Sequence, residues 1–146
     1  MEHLTIPNNI LLDKVAELIA NGRRVTIIGK GNSMMPFIIN ERDSITLSRI
    51  DKLNKFDIVL AKLKDNSYVI HRIIKIEGDR VILMGDGNLY YKEECTISDI
   101  LAKAEIIIRR GRHINCNKKT ERVKAIIWFY LSPIRRYLLA IYKRIN

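Results

Sequence analysis

A serine and a histidine of this chain have side chains suited to nucleophilic catalysis. Ser33 lies in the short stretch 31–36, after an apolar run and before a region rich in turn residues. A serine hydroxyl is a poor nucleophile at neutral pH unless a nearby base accepts its proton. His71 lies within the apolar run 68–76, and histidine accepts a proton at neutral pH without special burial. We therefore predict that Ser33 is a nucleophile and that His71 is its base.

A carboxylate is needed to orient such a histidine, and the stretch 85–88 supplies one in a tight turn. A carboxylate on the second ring nitrogen fixes the tautomer and stabilises the imidazolium that forms during proton transfer. Asp86 is the best placed residue for this role. Asp79 and Glu94 are the alternatives.

The spacing of apolar residues predicts a mainly β fold preceded by one helix. Asn8 or Asn9 caps the predicted helix and Gly22 ends it, with apolar side chains at helical spacing between them. Short apolar runs bounded by turn residues predict strands over 24–28, 45–47, 58–63, 68–76, 81–84 and 100–108. These runs follow one another without intervening helices, which favours an antiparallel sheet.

Two helices are predicted after the strands, over residues 120–131 and 133–145. Ser132 is the expected cap, and Pro133 takes the first position of the second helix. Both helices carry aromatic rings together with lysines and arginines. This mixture suits a helix lying on an anionic membrane, and it suits equally well two helices packed on the domain with solvated basic faces.

The composition indicates a globular protein with a basic surface. Its 146 residues suffice for a single core. Lys and Arg number 26 against 16 Asp and Glu, and the resulting net charge of +10 favours polyanionic partners. We divide the chain into residues 1–115, which carry the candidate site and the first helix, and a basic amphipathic helical tail, residues 116–146. An anionic membrane surface touching residues 120–146 is an expected partner, and nucleic acid is not.

The sequence also bears on location. Its first residues lack a basic segment followed by an apolar core, so no signal peptide is predicted. No run reaches the roughly 18 apolar residues that a spanning helix needs. We therefore expect a peripheral membrane or a cytoplasmic location. Cys95 and Cys116 fit either two free thiols or one disulfide.

Two further patterns do not support a cofactor. Residues 29–33 superficially resemble a phosphate-binding loop, but their lysine is not followed by Ser or Thr, and Pro36 disrupts the helix that would supply amides. His113 and Cys116 have metal-ligand chemistry, yet no set of four ligands has the required spacing. We predict neither a nucleotide nor a metal.

The order and local context of the candidate residues resemble the signal peptidase I family, and within it the histidine-type branch. The Ser-Met-x-Pro motif of that family is matched at residues 33–36. Its basic residue followed by arginine is matched by His71 and Arg72, and its Gly-Asp-x-Asn segment by residues 85–88. The resemblance covers roughly residues 25–110, and the self-cleaving repressor peptidases are related to the same family.

This resemblance implies a serine endopeptidase of signal peptidase type with an antiparallel β fold. Its substrate would be an extended peptide, such as the leader or signal segment of a precursor protein. The residues that the resemblance assigns to catalysis are Ser33, His71 and Asp86. Those that it assigns to support of the site include Arg72 and Asn88.

The oxyanion of the reaction needs two hydrogen-bond donors. The backbone N–H of Ser33 is expected to be one of them, because preorganised donors stabilise the developing charge. Many members of the family offer a serine two positions earlier, where this chain has Gly31. The second donor is therefore expected from Asn32 or another backbone amide.

Two other functions stay open. A self-cleaving regulator of the repressor peptidase type would use lysine where His71 stands. It would also carry a DNA-binding domain and cut an internal Ala-Gly or Cys-Gly bond, which this sequence lacks. The other alternative is a non-catalytic module of the same fold that binds a membrane surface or nucleic acid.

Overall fold

One eight-stranded antiparallel sheet forms the body of the protein, with one helix before it and two helices after it. The structure, a computed structural model, describes residues 8–145. The helices are α1 (Asn8–Ala20), α2 (Lys119–Tyr130) and α3 (Arg135–Ile145). The strands are β1 (Val25–Ile28), β2 (Asp43–Ser48), β3 (Ile58–Lys62), β4 (Tyr68–Glu77), β5 (Arg80–Met84), β6 (Glu93–Thr96), β7 (Ile100–Arg109) and β8 (Arg112–Asn115). The predicted mainly β fold with these helices is confirmed.

The strand β7 changes pairing partners along one of its edges. Its order is β1-β2-β7-β3-β4-β5-β6, and β8 also pairs with β7. Along one edge β7 pairs with β2. Along the other edge it pairs with β3 over its first residues and with β8 over its last. Irregularities at Thr46/Leu47, Leu60/Ala61 and Ile73/Lys75 increase the local twist, so the sheet curls around its apolar contents.

Two clusters of buried apolar side chains form the core. The first packs α1 against β2, β3 and β7, with Ile19, Leu47 and Leu60 fully buried. The second lies among β3, β4, β5 and β6, around Val59 and Leu83. Burial of apolar side chains is the largest favourable contribution to the stability of a folded domain. These clusters therefore stabilise the strands in the interior of the sheet, among them β4, which carries His71.

The two C-terminal helices pack against the sheet domain. Arg122 of α2 donates to the buried carboxylate of Asp57 at 2.7 Å, and Lys103 lies 3.3 Å from the same carboxylate. Phe129 of α2 meets Phe56 edge-on, with ring centroids 5.6 Å apart. Asp57, the residue before β3, thus has a structural role as the anchor of α2.

Some boundaries differ from the sequence prediction. β6 and β8 were not predicted, because each contains a single apolar residue or a cysteine among polar ones. Pro133 lies in a short 3-10 turn, Ser132–Ile134, and α3 begins after it. Asn8 and Asn9, the predicted caps of α1, are the first two described residues of the helix, and any residue before them lies outside the described residues. Between residues 8 and 145, no helix combines the length and apolar character needed to cross a bilayer.

Candidate active site

Ser33 lies in the loop between β1 and β2, and the loop is held by its own turns. Met35 N–H donates to Asn32 C=O at 3.2 Å, and Ile38 N–H donates to Met34 C=O at 2.9 Å. The side chains of Met34 and Ile38 are buried in the first apolar cluster. The Ser33 side chain itself is half-buried at the surface of this anchored loop. Its backbone position is therefore fixed by the core beneath it.

The far end of the same loop is fixed by Asp43, the first residue of β2. Its carboxylate accepts hydrogen bonds from the Ile39 N–H at 2.8 Å and from Arg42 at 2.9 Å, and Arg109 lies 3.3 Å away. Burial disfavours the charge of Asp43, but these donors outweigh it, so the pKa of its carboxyl is lowered. The residue is fully buried and ionised at neutral pH.

Two glycines bring the turn after β5 into direct contact with the Ser33 loop. The N–H of Gly87 donates to Ser33 C=O at 2.8 Å. A Cβ at Gly85 would lie 2.3 Å from Ser33 O, and a Cβ at Gly87 would lie 2.4 Å from Asn32 O. Both distances are shorter than any side chain allows, and the obstructing atoms are backbone. Glycine is therefore the only residue that permits this approach.

The two ring nitrogens of His71 on β4 have different surroundings. Its Nδ1 lies 2.5 Å from Oε1 of Glu93 on β6, and both side chains are buried. Its Nε2 lies 3.1 Å from the position that a Cβ of Gly85 would occupy, next to the Ser33 loop. A carboxylate on Nδ1 favours the tautomer with the proton there, which leaves Nε2 as the acceptor. No hydrogen bond joins the Ser33 hydroxyl to His71 among residues 8–145.

Strand parity explains why His71 meets Glu93. On β4 and β5, Arg72 is paired with Met84, and continuing that register places His71 across from Gly85. Leu83, two residues before Gly85 on the same face, is paired with Glu93 of β6. Because Gly85 has no side chain, the Ser33 carbonyl and the His71 imidazole can both lie next to it.

Asp86 does not contact His71. The structure therefore contradicts the prediction that Asp86 is the carboxylate that orients His71. Being one residue after Gly85, Asp86 points to the opposite face, where Arg72 also points. Arg72 Nε and Nη2 donate to the two oxygens of Asp86 at 2.8 and 2.7 Å. Burial disfavours the guanidinium charge, but Asp86 outweighs it and raises the pKa of Arg72. Arg72 supports the site by holding Asp86, as part of a closed bidentate pair.

Glu93 is the site residue that the sequence prediction missed. The two alternative carboxylates, Asp79 and Glu94, are exposed, and Glu94 pairs with Arg80. Glu93 and Cys95 are buried while Glu94 between them is exposed, which is strand alternation. Its second oxygen, Oε2, is buried without a hydrogen-bond partner among the described residues. The sequence signal for Glu93 was the alternation of inward and outward residues along β6, which is hard to recognise because the strand is short and mostly polar.

Among the predicted oxyanion donors, one already has a hydrogen-bond partner and two others line the cleft next to Ser33. The N–H of Gly31 already donates to Asn40 Oδ1 at 2.9 Å, so it is committed elsewhere. Asn32 and Asn88 both line a cleft of about 220 Å³ next to Ser33. Asn88 Nδ2 lies 2.9 Å from the Cβ position of Gly85, on the same side as the imidazole. The side-chain amides of Asn32 and Asn88 are therefore the available donors.

Comparison with known proteins identifies the family of this chain. A family model described as Peptidase S24-like matches residues 2–112, most of the chain. The chain belongs to the Peptidase S24-like family. This membership supports a serine peptidase or a self-cleaving repressor-type protein, and it confirms the predicted relation to that group of families. The matched part of this Peptidase S24-like chain contains Ser33, His71 and Glu93. No curated protein matches the chain.

The helices that follow the Peptidase S24-like match also reach the site. Trp128 Nε1 of α2 donates to Asp86 C=O at 2.7 Å, and Arg135 Nη1 donates to Asn88 C=O at 3.0 Å. Arg135 is buried beside the Trp128 ring, and this burial lowers its pKa. Leu139 and Lys143 of α3 line the same cleft as Ser33. Residues of α2 and α3, which lie outside the matched residues, thus hold the turn 85–88 in place.

The remaining reactive side chains of this Peptidase S24-like chain are inert or dispersed. Cys95 and Cys116 are free thiols. Burial is the main cause that raises the pKa of each thiol to about 11, so neither is a thiolate at neutral pH. Within the part of the chain that the structure describes, no cluster of His, Cys, Asp and Glu has the composition of a metal site.

Proposed function

We propose that this Peptidase S24-like protein is a serine endopeptidase of signal peptidase type that cuts leader or signal segments of precursor proteins. The observation that carries the proposal is the arrangement of His71, with Nδ1 on Glu93 and Nε2 facing Gly85, the residue on which the Ser33 loop closes. A base oriented on one side and open toward a serine on the other is what acyl transfer requires.

The proposed reaction follows from these positions. Ser33 Oγ attacks the scissile carbonyl while its proton passes to His71 Nε2, and Glu93 stabilises the imidazolium that results. The negative oxygen of the tetrahedral intermediate accepts hydrogen bonds from the Ser33 N–H and a side-chain amide of Asn32 or Asn88. The imidazolium then gives its proton to the leaving amine. A water molecule, deprotonated by His71, hydrolyses the acyl-enzyme and restores Ser33.

The cleft supports an extended peptide as substrate. Its walls are the Ser33 loop, the turn 85–88 and α3, and its volume of about 220 Å³ suits one small side chain at a time. Met35 and Leu139 contribute apolar surface to it, and Lys143 contributes a positive charge. Small residues beside the cleavage site are the pattern expected of leader and signal segments by resemblance to the signal peptidases.

Incubation of the purified full chain with leader-like peptides tests the proposal. Wild type should cleave them and should be acylated at Ser33 by a serine-directed inhibitor, as read by intact mass. Ser33→Ala should lose both activities, whereas Ser98→Ala, which changes an exposed serine, should lose neither. Turnover retained by Ser33→Ala would overturn the proposal. Cleavage of the chain itself, with no cleavage of added peptide, would favour the repressor-type alternative.

A further inference from the structure

We propose that α2 and α3 form a docking surface for an anionic lipid bilayer, which places the cleft beside Ser33 at the membrane surface. The docking surface is defined as the solvent-facing side of residues 123–145. The lipid-binding part stands on its own observations. The part that concerns presentation of membrane-bound precursors rests on the proposed function.

The first observation is an apolar stripe on the solvent side of α2. Val123, Ile127 and Tyr130 recur at helical spacing and are exposed, with Tyr130 at 71 %. The side that packs on the sheet is marked instead by Ala125, which is 1 % exposed. A helix that only packed on a domain would turn its apolar stripe inward. In α2 the apolar residues lie on both sides.

α3 repeats the same pattern. Tyr137, Ile141 and Ile145 recur every fourth residue and are all more than half exposed. The inward positions are taken by Arg135 and Leu139, which are buried. Of the twelve large apolar side chains that are exposed in the described part of the chain, eight lie on these two helices and the turn between them. Such a concentration marks an interaction surface, since scattered exposed apolar residues are ordinary.

The positive charge of the docking surface favours an anionic bilayer as its partner. Residues 118–146 contain eight lysines and arginines and a single acidic residue, Glu121. Lys124, Arg136 and Arg144 are exposed on the same two helices as the stripes. A second copy of this surface would bring like charges together, and nucleic acid would leave the apolar stripes in water. An anionic bilayer satisfies both features, because its interface accepts apolar side chains and its headgroups attract cations.

Docking on the bilayer would bring the cleft close to substrates that are bound to the membrane. Lys143 lines the cleft with Ser33, while Ile141 and Ile145 of the same helix are exposed to solvent. An α-helix with its side chains is only about 10–12 Å across, so the cleft lies within one helix width of the bilayer.

Vesicle flotation of the full-length Ser33→Ala protein tests docking without any contribution from cleavage. The probes are vesicles of phosphatidylcholine alone and vesicles that also contain phosphatidylglycerol, at low and high salt. We expect binding to the anionic vesicles that weakens as salt is raised, and weaker binding to the neutral ones.

Matched variants locate the surface. Ile127→Ser with Ile141→Ser should reduce partitioning at least tenfold, since each change removes an apolar group that would be buried in the interface. Leu11→Ser with Ile97→Ser alters two exposed apolar residues elsewhere and should change it less than about twofold. Thermal unfolding should be little altered in either pair, because all four side chains are exposed.

A charge pair completes the design. Arg136→Gln with Arg144→Gln should weaken anionic binding by roughly tenfold or more, whereas the exposed controls Lys30→Gln with Lys64→Gln should have a much smaller effect. Absence of binding to anionic vesicles would overturn the inference, as would equal losses in the test and control pairs. A dimer that the Ile127 and Ile141 changes dissociate, or DNA binding without vesicle binding, would assign the surface to another occupant. Peptide cleavage by wild type in solution stays a separate test of the proposed function.

Discussion

His71 Nδ1 lies 2.5 Å from Glu93 Oε1, a contact that spans from β4 to β6 across β5. Asp86, although closer in sequence to His71, faces the other side of the sheet and closes a bidentate pair with Arg72. The two carboxylates therefore have separable roles. We expect one to affect chemistry and the other to affect stability.

The first prediction separates these roles at Glu93. Glu93→Gln should lower kcat for peptide cleavage by about 10³–10⁴-fold with little change in KM, because the amide no longer favours the required tautomer or stabilises the imidazolium. The neighbouring Glu94→Gln, on the exposed side of β6, is the matched control and should keep near-normal kcat. A smaller loss in Glu93→Gln than in Glu94→Gln would contradict the assignment.

Asp86→Asn should act mainly on stability. It leaves the buried guanidinium of Arg72 without its carboxylate, and breaking such a pair costs about 3–5 kcal/mol. Chemical denaturation should show this loss in the free energy of unfolding. If Asp86→Asn unfolds as wild type does while its kcat collapses, Asp86 takes part in the chemistry and the two carboxylates do not have separate roles.

Gly87→Ala tests the interlock between the turn 85–88 and the Ser33 loop. The added Cβ would meet Asn32 O at 2.4 Å, so the loop must shift and kcat/KM should fall by about 10²-fold. Gly78→Ala is the control, since its Cβ meets nothing within 4 Å and only the positive φ of 56° is strained. That change should cost about 1 kcal/mol of stability and leave cleavage nearly intact. Equal activity of the two variants would argue against the interlock.

Trp128→Phe tests whether α2 helps to position the turn. The change keeps an aromatic ring but removes the donor to Asp86 C=O, and we expect kcat/KM to fall about tenfold. Tyr130→Phe, on the exposed side of α2, provides the comparison. A purely structural role would lower the unfolding midpoint without changing kcat in the folded protein, so both quantities should be measured at a temperature well below the transition.

Acid stability should depend on Asp43. Its pKa is lowered in the folded state, so its stabilising effect is fully present above the ordinary aspartate pKa of about 3.9 and is lost as pH falls toward the folded value. Denaturant titrations at a series of pH values should therefore show stability declining below about pH 4 in wild type, with a shallower decline in Asp43→Asn. An unchanged slope in that variant would assign the acid sensitivity to other carboxylates.

The sequence predicted much of the fold, and the structure brings two of the predicted site residues, Ser33 and His71, to the same turn, 85–88. Ser33 and His71 stood out because their order and local context resemble the motifs of the signal peptidase I family. The apolar runs that became β3, β4, β5 and β7 were long enough to be recognised. β6 was missed because its alternation spans only Glu93–Thr96 and two of its residues are charged. Which carboxylate meets His71 depends on the register between three strands, and a one-residue difference moves a side chain to the opposite face. The sequence near residues 85–88 carries no such register information.

The role of α2 and α3 at the site was also beyond sequence patterns. Trp128 and Arg135 lie 42 and 47 positions from the residues that they bond, and these bonds go to backbone carbonyls. Every residue has a backbone carbonyl, so the residue types at positions 86 and 88 do not indicate that these hydrogen bonds form. Only the three-dimensional packing of the helices on the sheet reveals them.

β6 occupies one end of the strand order and pairs only with β5 in the described sheet. Edge strands of this kind exchange their amide hydrogens through local openings that need far less free energy than global unfolding. Whenever β6 detaches, Glu93 leaves with it and His71 loses its orientation while the rest of the sheet persists. Inactivation on warming should therefore precede the loss of the fold, and the lifetime of the competent enzyme should be set by the fraying of one short strand.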